Sequence, residues 1–69
     1  MNFELLEVVC ATTDFPHFGI RSGDVGTVVE VYGEGEYEVE FCNERGETRA
    51  VFALSESQLR PARALKQAA

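Results

Sequence analysis

Val25-Gly-Thr-Val-Val-Glu-Val-Tyr32, then Gly33-Glu-Gly35, then Glu36-Tyr-Glu-Val-Glu-Phe-Cys42 carries the strongest structural signal in the chain. Tyr37, Val39 and Phe41 alternate with Glu38, Glu40 and Cys42, the period-two pattern of a half-buried strand. The run before it is rich in β-branched residues and reads as its hairpin partner. A two-residue loop at Glu34-Gly35 would set Val31 against Glu38 and Val29 against Glu40, mixing core and charge on one face. A one-residue slip reverses every side chain. The three-residue loop Gly33-Glu34-Gly35 instead pairs Val31 with Tyr37, Glu30 with Glu38 and Val29 with Val39. Gly35 then takes the left-handed position of a type I turn with a G1 bulge. This register predicts a core of Val29, Val31, Tyr37, Val39, Phe41 and Val51, and an acidic outer face of Glu30, Glu38 and Glu40. Val28 and Val29 are both apolar, as in a strand that changes the face it buries when it curls. Gly26 suggests a bulge or bend at the strand entry.

Working outward, residues 5–13 predict a first strand. Residues 14–24 form a long loop punctuated by Pro16, Gly19 and Gly23. After Cys42, Asn43-Glu-Arg-Gly46 is a turn with glycine where a positive φ is needed. Residues 48–54 predict a fourth strand, residues 55–58 one short helical turn, and residues 59–62 a brief closing strand. Residues 63–69 read as a short basic tail, helical or frayed. Helix signals are nearly lacking before residue 55. The reading is an all-β domain over residues 1–62. It is a small five-stranded SH3-like barrel with a helical turn near the C-terminus, whose near-closure hides strand edges.

The sequence of 69 residues fits one domain. Twelve acidic residues face six basic ones, for a formal net charge of −6. All the acids precede Arg60, while the last ten residues hold only the cations Arg60, Arg63 and Lys66. An acidic body repels nucleic acid phosphates and suits a basic partner. No apolar run approaches the roughly 20 residues of a membrane helix. The start, Met1-Asn2-Phe3-Glu4, lacks a signal-peptide pattern, so a cytoplasmic protein is expected. Cys10 and Cys42 sit in apolar strand-like runs without a C-x-x-C pair and read as buried, reduced thiols. A disulfide or a reactive thiol is the alternative.

Leu6-Glu-Val-Val9, Phe15-Pro16, Gly23-Asp-Val-Gly-Thr-Val-Val-Glu-Val31, Tyr37-Glu-Val-Glu-Phe41, Gly46-Glu-Thr48 and Leu54 together form a wider pattern. In it the chain resembles the short bacterial proteins grouped as domain of unknown function 4926, through about residues 5–60. Phe15 stands where leucine is usual, and Cys10-Ala11 also departs. The resemblance implies a compact SH3-like barrel and no particular activity. More loosely, Gly23-x-x-Gly26-x-Val28 is similar to the translation-factor KOW motif and to the barrel of nitrile hydratase β-subunits. That shared element is a bent strand entry and carries no chemistry.

No residues form a catalytic or metal-binding pattern. His17 is the only histidine. With Cys10 and Cys42 it makes no zinc-type spacing, so neither metal nor cofactor is expected. Ser22, Ser55 and Ser57 lack a nucleophile motif and share that one possible base. Glu30, Glu38 and Glu40 resemble an acid pair for glycoside chemistry only in residue type, because an open sheet face offers no cleft. Gly23-Asp-Val-Gly26 lacks the Lys-Ser/Thr ending of a phosphate loop. There is no tryptophan for a Pro-rich peptide groove.

Two surfaces remain as protein-binding candidates. One is the acidic face of Glu30, Glu38 and Glu40, which otherwise is simply solvated. The other is the loop with Phe15, Pro16, His17, Phe18 and Ile20, whose apolar groups either cap the barrel or mark a contact site. The expected function is a non-catalytic protein-interaction module: a small accessory, regulatory or antitoxin-like partner of a larger protein with a basic surface. The alternative is a nucleic-acid-binding KOW-like barrel, against which the charge argues.

Overall fold

The computed structural model describes residues 2–62. Five strands form one antiparallel sheet: β1 (Val8–Ala11), β2 (Val25–Tyr32), β3 (Glu36–Cys42), β4 (Thr48–Ser55) and β5 (Leu59–Pro61). Their order is β4-β3-β2-β1-β5. Tight hairpins join β2 to β3 and β3 to β4. A 3-10 turn, Glu56–Gln58, brings the chain back so that β5 pairs with β1. The Gln58 side chain locks that turn by accepting the Ser55 N–H at 2.9 Å. This is the strand succession of the SH3-like barrel expected from the sequence. The sheet is not closed, because β4 and β5 remain its two edges.

One core fills the inner side. Val9 and Ala11 (β1), Val28 (β2), Tyr37, Val39 and Phe41 (β3), Phe52 and Leu54 (β4) and Leu59 (β5) enter it, with Phe3 and Ile20 from outside the strands. The alternation read along β3 is the one observed. So is the start of the hairpin register: Tyr32 faces Glu36, Val31 faces Tyr37 and Glu30 faces Glu38.

The register then slips by one residue. A bulge between Val28 and Glu30 puts Val28, rather than Val29, opposite Val39, and Val28 is the residue fully buried. Its cause lies in the N-terminal segment. The Leu6 N–H donates to the Val28 carbonyl at 2.6 Å, and the Val28 N–H donates to the Glu7 carbonyl at 2.9 Å. The N–H and the carbonyl of Val28 are thus both tied to residues 6 and 7, and the extra residue is accommodated beyond it.

Val31 lies opposite Tyr37 yet is 45% exposed. β1 begins only at Val8, opposite Thr27, so nothing from β1 covers it. Val51 is 44% exposed and faces Glu40, while Phe52 and Leu54 take the inner positions. Both faces of β4 hold apolar residues, and the larger ones win the core. The first strand is also shorter than expected. Leu5 and Leu6 form an exposed turn, with Leu6 at φ +70°. Upstream of it Phe3 plugs the core, edge-on to Tyr37 with ring centroids 5.4 Å apart. The basic tail expected over residues 63–69 lies outside the described residues.

Glycine matters at two places, one in a strand and one in a turn. Gly26 does not form the bulge; it is a close approach. A Cβ there would sit 2.7 Å from Val39 Cγ1 and 3.0 Å from the Glu40 carbonyl. The β2–β3 loop departs from type I, because Glu34 (φ +68°) and Gly35 (φ +76°) are both left-handed.

Candidate functional site

The register lays out the outer face in rows, since directly paired residues share a face. Val8, Thr27, Glu40 and Val51 form one row across β1 to β4. Glu30, Glu38 and Ala53 form the next, and Tyr32, Glu36 and Ser55 the last. The structure therefore brings Glu30, Glu38 and Glu40 onto one face and adds Glu36 to them. Among the described residues no arginine or lysine pairs with Glu30, Glu38 or Glu40. Arg49 instead pairs with Asp24 at 3.7 Å, away from this face.

Hydroxyl groups partly satisfy these carboxylates. The Tyr32 phenol donates to Glu38 Oε1 at 3.0 Å, and the Thr48 hydroxyl donates to Glu40 Oε2. The Tyr32 phenol is consequently held above its ordinary pKa. Its hydrogen bond to Glu38 is the largest cause, followed by partial desolvation and by the charges of Glu38, Glu30 and Glu36. Both Val51 and Tyr32 are more than two-fifths exposed on this face. Carboxylates and open apolar surface are thus interleaved.

Phe15 and Phe18 lie on the other side of β4, against Phe52 of the core. The 3-10 turn Pro16–Phe18 sits inside a loop pinched by the paired backbones of Phe15 and Ile20. Asp14 accepts the Ser22 N–H at 2.8 Å and Asp24 accepts the Arg21 N–H at 2.9 Å. Ile20 is buried, and Phe15 packs against the core with its ring 5.2 Å from that of Phe52. Phe18 stacks flat on Phe52 at 3.9 Å but stays 42% exposed. The loop thus caps the core with Phe15 and Ile20 and leaves one aromatic face partly open.

His17 is exposed beside Phe18. Cys10 is a buried free thiol; Cys42, expected to be buried, is exposed because it continues the outward alternation at the end of β3. No group of three or more His, Cys, Asp or Glu among the described residues is placed to hold a metal ion. No helix among them is long and apolar enough to cross a membrane. A shallow cleft lined by Asp14, Gly19, Arg21 and Arg49 lies between the first loop and β4, with the Arg49 guanidinium engaged by the Gly19 carbonyl at 2.5 Å.

Glu36, Tyr32 and Val51 are face residues that sequence reasoning missed, and Glu36 lies on the same alternation as Glu38 and Glu40. Tyr32 follows Glu30 by two positions, so the same alternation points to it. Val51 had no such signal, since β4 is apolar on both sides.

No curated protein and no solved structure matches the chain. The family model described as domain of unknown function (DUF4926) matches residues 5–61. That span takes in all five strands and both loops discussed above, and the chain belongs to this family.

Proposed function

We propose that the domain is a non-catalytic protein-interaction module whose outer sheet face docks a basic surface of a larger protein. The supporting observation is the composition of that face. Glu30, Glu36, Glu38 and Glu40 are gathered without a paired cation among the described residues, beside exposed Val51 and Tyr32. Like charges set across strands cost some stability. A cationic partner relieves that repulsion as it docks, and the apolar groups supply area to bury. The same charge disfavours nucleic acid. Free cysteines, one of them exposed, are in keeping with the reducing cytoplasm, where we place the protein.

The test is affinity capture from the source cells with the full chain, wild-type and Glu38→Gln/Glu40→Gln, followed by binding kinetics with the recovered partner. The double variant should associate more slowly, and the deficit should shrink at high salt, since charges are screened over about 8–10 Å near physiological ionic strength. Unchanged association at low salt would leave the face merely solvated and move the docking surface to the Phe15–Ile20 loop.

A further inference from the structure

We propose that the open edge of β4 receives an extended segment of the partner as a sixth strand, with alternating apolar and basic side chains. This rests on the reading of the acidic face and adds the mode of docking and the pattern of the ligand.

The two edges of the sheet are built differently. β5 is three residues long and contains Pro61, features that blunt an edge against pairing. β4 is eight residues long and pairs with β3 alone. Among the described residues, no backbone hydrogen bond joins its far side to another element. From Ala50 to Ser55 it carries no charge and no proline. A bulge touches only its start, between Phe41 and Cys42 of its neighbour. Its one charged residue, Arg49, turns its guanidinium to Gly19 and Asp24 in the first loop. Such an edge is a template for strand addition.

The two faces beside that edge set the pattern of the added strand. Outward side chains would lie next to Val51 and Ala53, one strand removed from Glu40 and Glu38. Strands are about 4.8 Å apart, so a lysine or arginine there reaches these carboxylates. Inward side chains would lie beside Phe52, whose stacked partner Phe18 is still partly open. Apolar residues suit that side. Charge also decides against a second copy of this chain. Antiparallel β4–β4 pairing would set two acidic outer faces side by side, on chains of net charge −6 each.

The probe is a capped octapeptide alternating valine and lysine, added to the isotope-labelled full chain at low salt. Alternate β4 amides face the open edge and should exchange quickly in the free chain. On saturation with the peptide these amides should slow by about tenfold or more, as ladder hydrogen bonds form. A block peptide of the same composition, four valines then four lysines, should not protect them. A valine–glutamate version should bind about tenfold more weakly or worse. Shifts confined to Glu30, Glu36, Glu38 and Glu40, with the β4 amides still fast, would overturn the edge inference while leaving the acidic-face reading intact. Equal protection by the valine–glutamate peptide would overturn both. Protection of the same amides in the peptide-free chain at high concentration, with a dimer in sedimentation, would assign the edge to a second copy and overturn the proposal.

Discussion

Along β3, Tyr37, Val39 and Phe41 point into the core while Glu36, Glu38 and Glu40 point away from it. Side chains on the first face are held on all sides, so geometry dictates them to the ångström. The second face is only half-covered by the described residues, and composition is free to follow charge. The contrast separates what builds this domain from what is available for recognition, and it extends into β4, where Phe52 and Val51 are neighbours in sequence on opposite sides.

The largest expected effect tests that division directly. Phe52→Ala removes a ring in contact with Phe15, Phe18 and Phe41 and should cost about 3–5 kcal/mol. Val51→Ala, on the open side, should change stability by no more than about 0.5 kcal/mol. Urea unfolding of the two variants measures both, and comparable losses would mean that β4 is turned the other way. Gly26→Ala should come next. Its new methyl would meet Val39 Cγ1 at 2.7 Å and backbone at 3.0 Å, and overpacking of this kind costs about 1–3 kcal/mol. A neutral Gly26→Ala would break the claim that the inner face is close-packed where β2 enters it.

The two faces also differed in how far the sequence disclosed them. The β2–β3 hairpin was legible because its outer residues are glutamates, which exclude one register outright. Between Val28 and Val29 there is no chemical difference to read. The choice is made by Leu6 and Glu7, residues more than twenty positions away that clasp Val28 by backbone bonds. β4 hid its orientation because Val51 and Ala53 compete with Phe52 and Leu54 for the same assignment. Phe3 stands alone in a polar start and has no period to report, yet its buried ring and its N–H, donated to the Tyr37 hydroxyl at 3.1 Å, seal one end of the core. The candidate face followed from alternation alone for Glu30, Glu38 and Glu40. Its apolar part depended on tertiary choices in β4.

Smaller effects belong to the outer side and its turn. Glu34 holds φ +68°, a conformation that strains any residue with a Cβ. Glu34→Gly should therefore stabilise the domain by about 1 kcal/mol, net of the greater freedom glycine has when unfolded. A loss of stability would mean that the Glu34 side chain contributes more than its backbone strain costs. Glu38→Gln with Glu40→Gln should stabilise the free domain by only a few tenths of a kcal/mol. Glutamine still accepts from Tyr32 and Thr48, so the change isolates charge from hydrogen bonding. Destabilisation by thermal melting would show that the carboxylates support the sheet instead of repelling across it.

The smallest effect is the most specific to the face. In the folded chain the Tyr32 phenol is held above its ordinary pKa, chiefly by its hydrogen bond to Glu38. An unfolded tyrosine loses its proton near pH 10. Between there and the raised folded value, the unfolded chain binds fewer protons than the folded one, so stability falls as pH rises. Below about pH 10 the group is neutral in both states and contributes no pH dependence. Tyr32→Phe removes this term, so the difference in melting temperature between wild-type and variant should be flat from about pH 8 to 10 and then shift against wild-type. The shift should be slight, since Tyr32 is exposed and solvent screens its neighbours. Glu38→Gln keeps an acceptor for the phenol but removes the charge behind it, and should bring the Tyr32 midpoint, followed by its own ring signals in NMR, part of the way back toward the ordinary value. An identical midpoint in wild-type and Glu38→Gln would show that the carboxylates do not act on one another's surroundings across this face. The electrostatic half of the contrast between the two sides of β3 would then be gone.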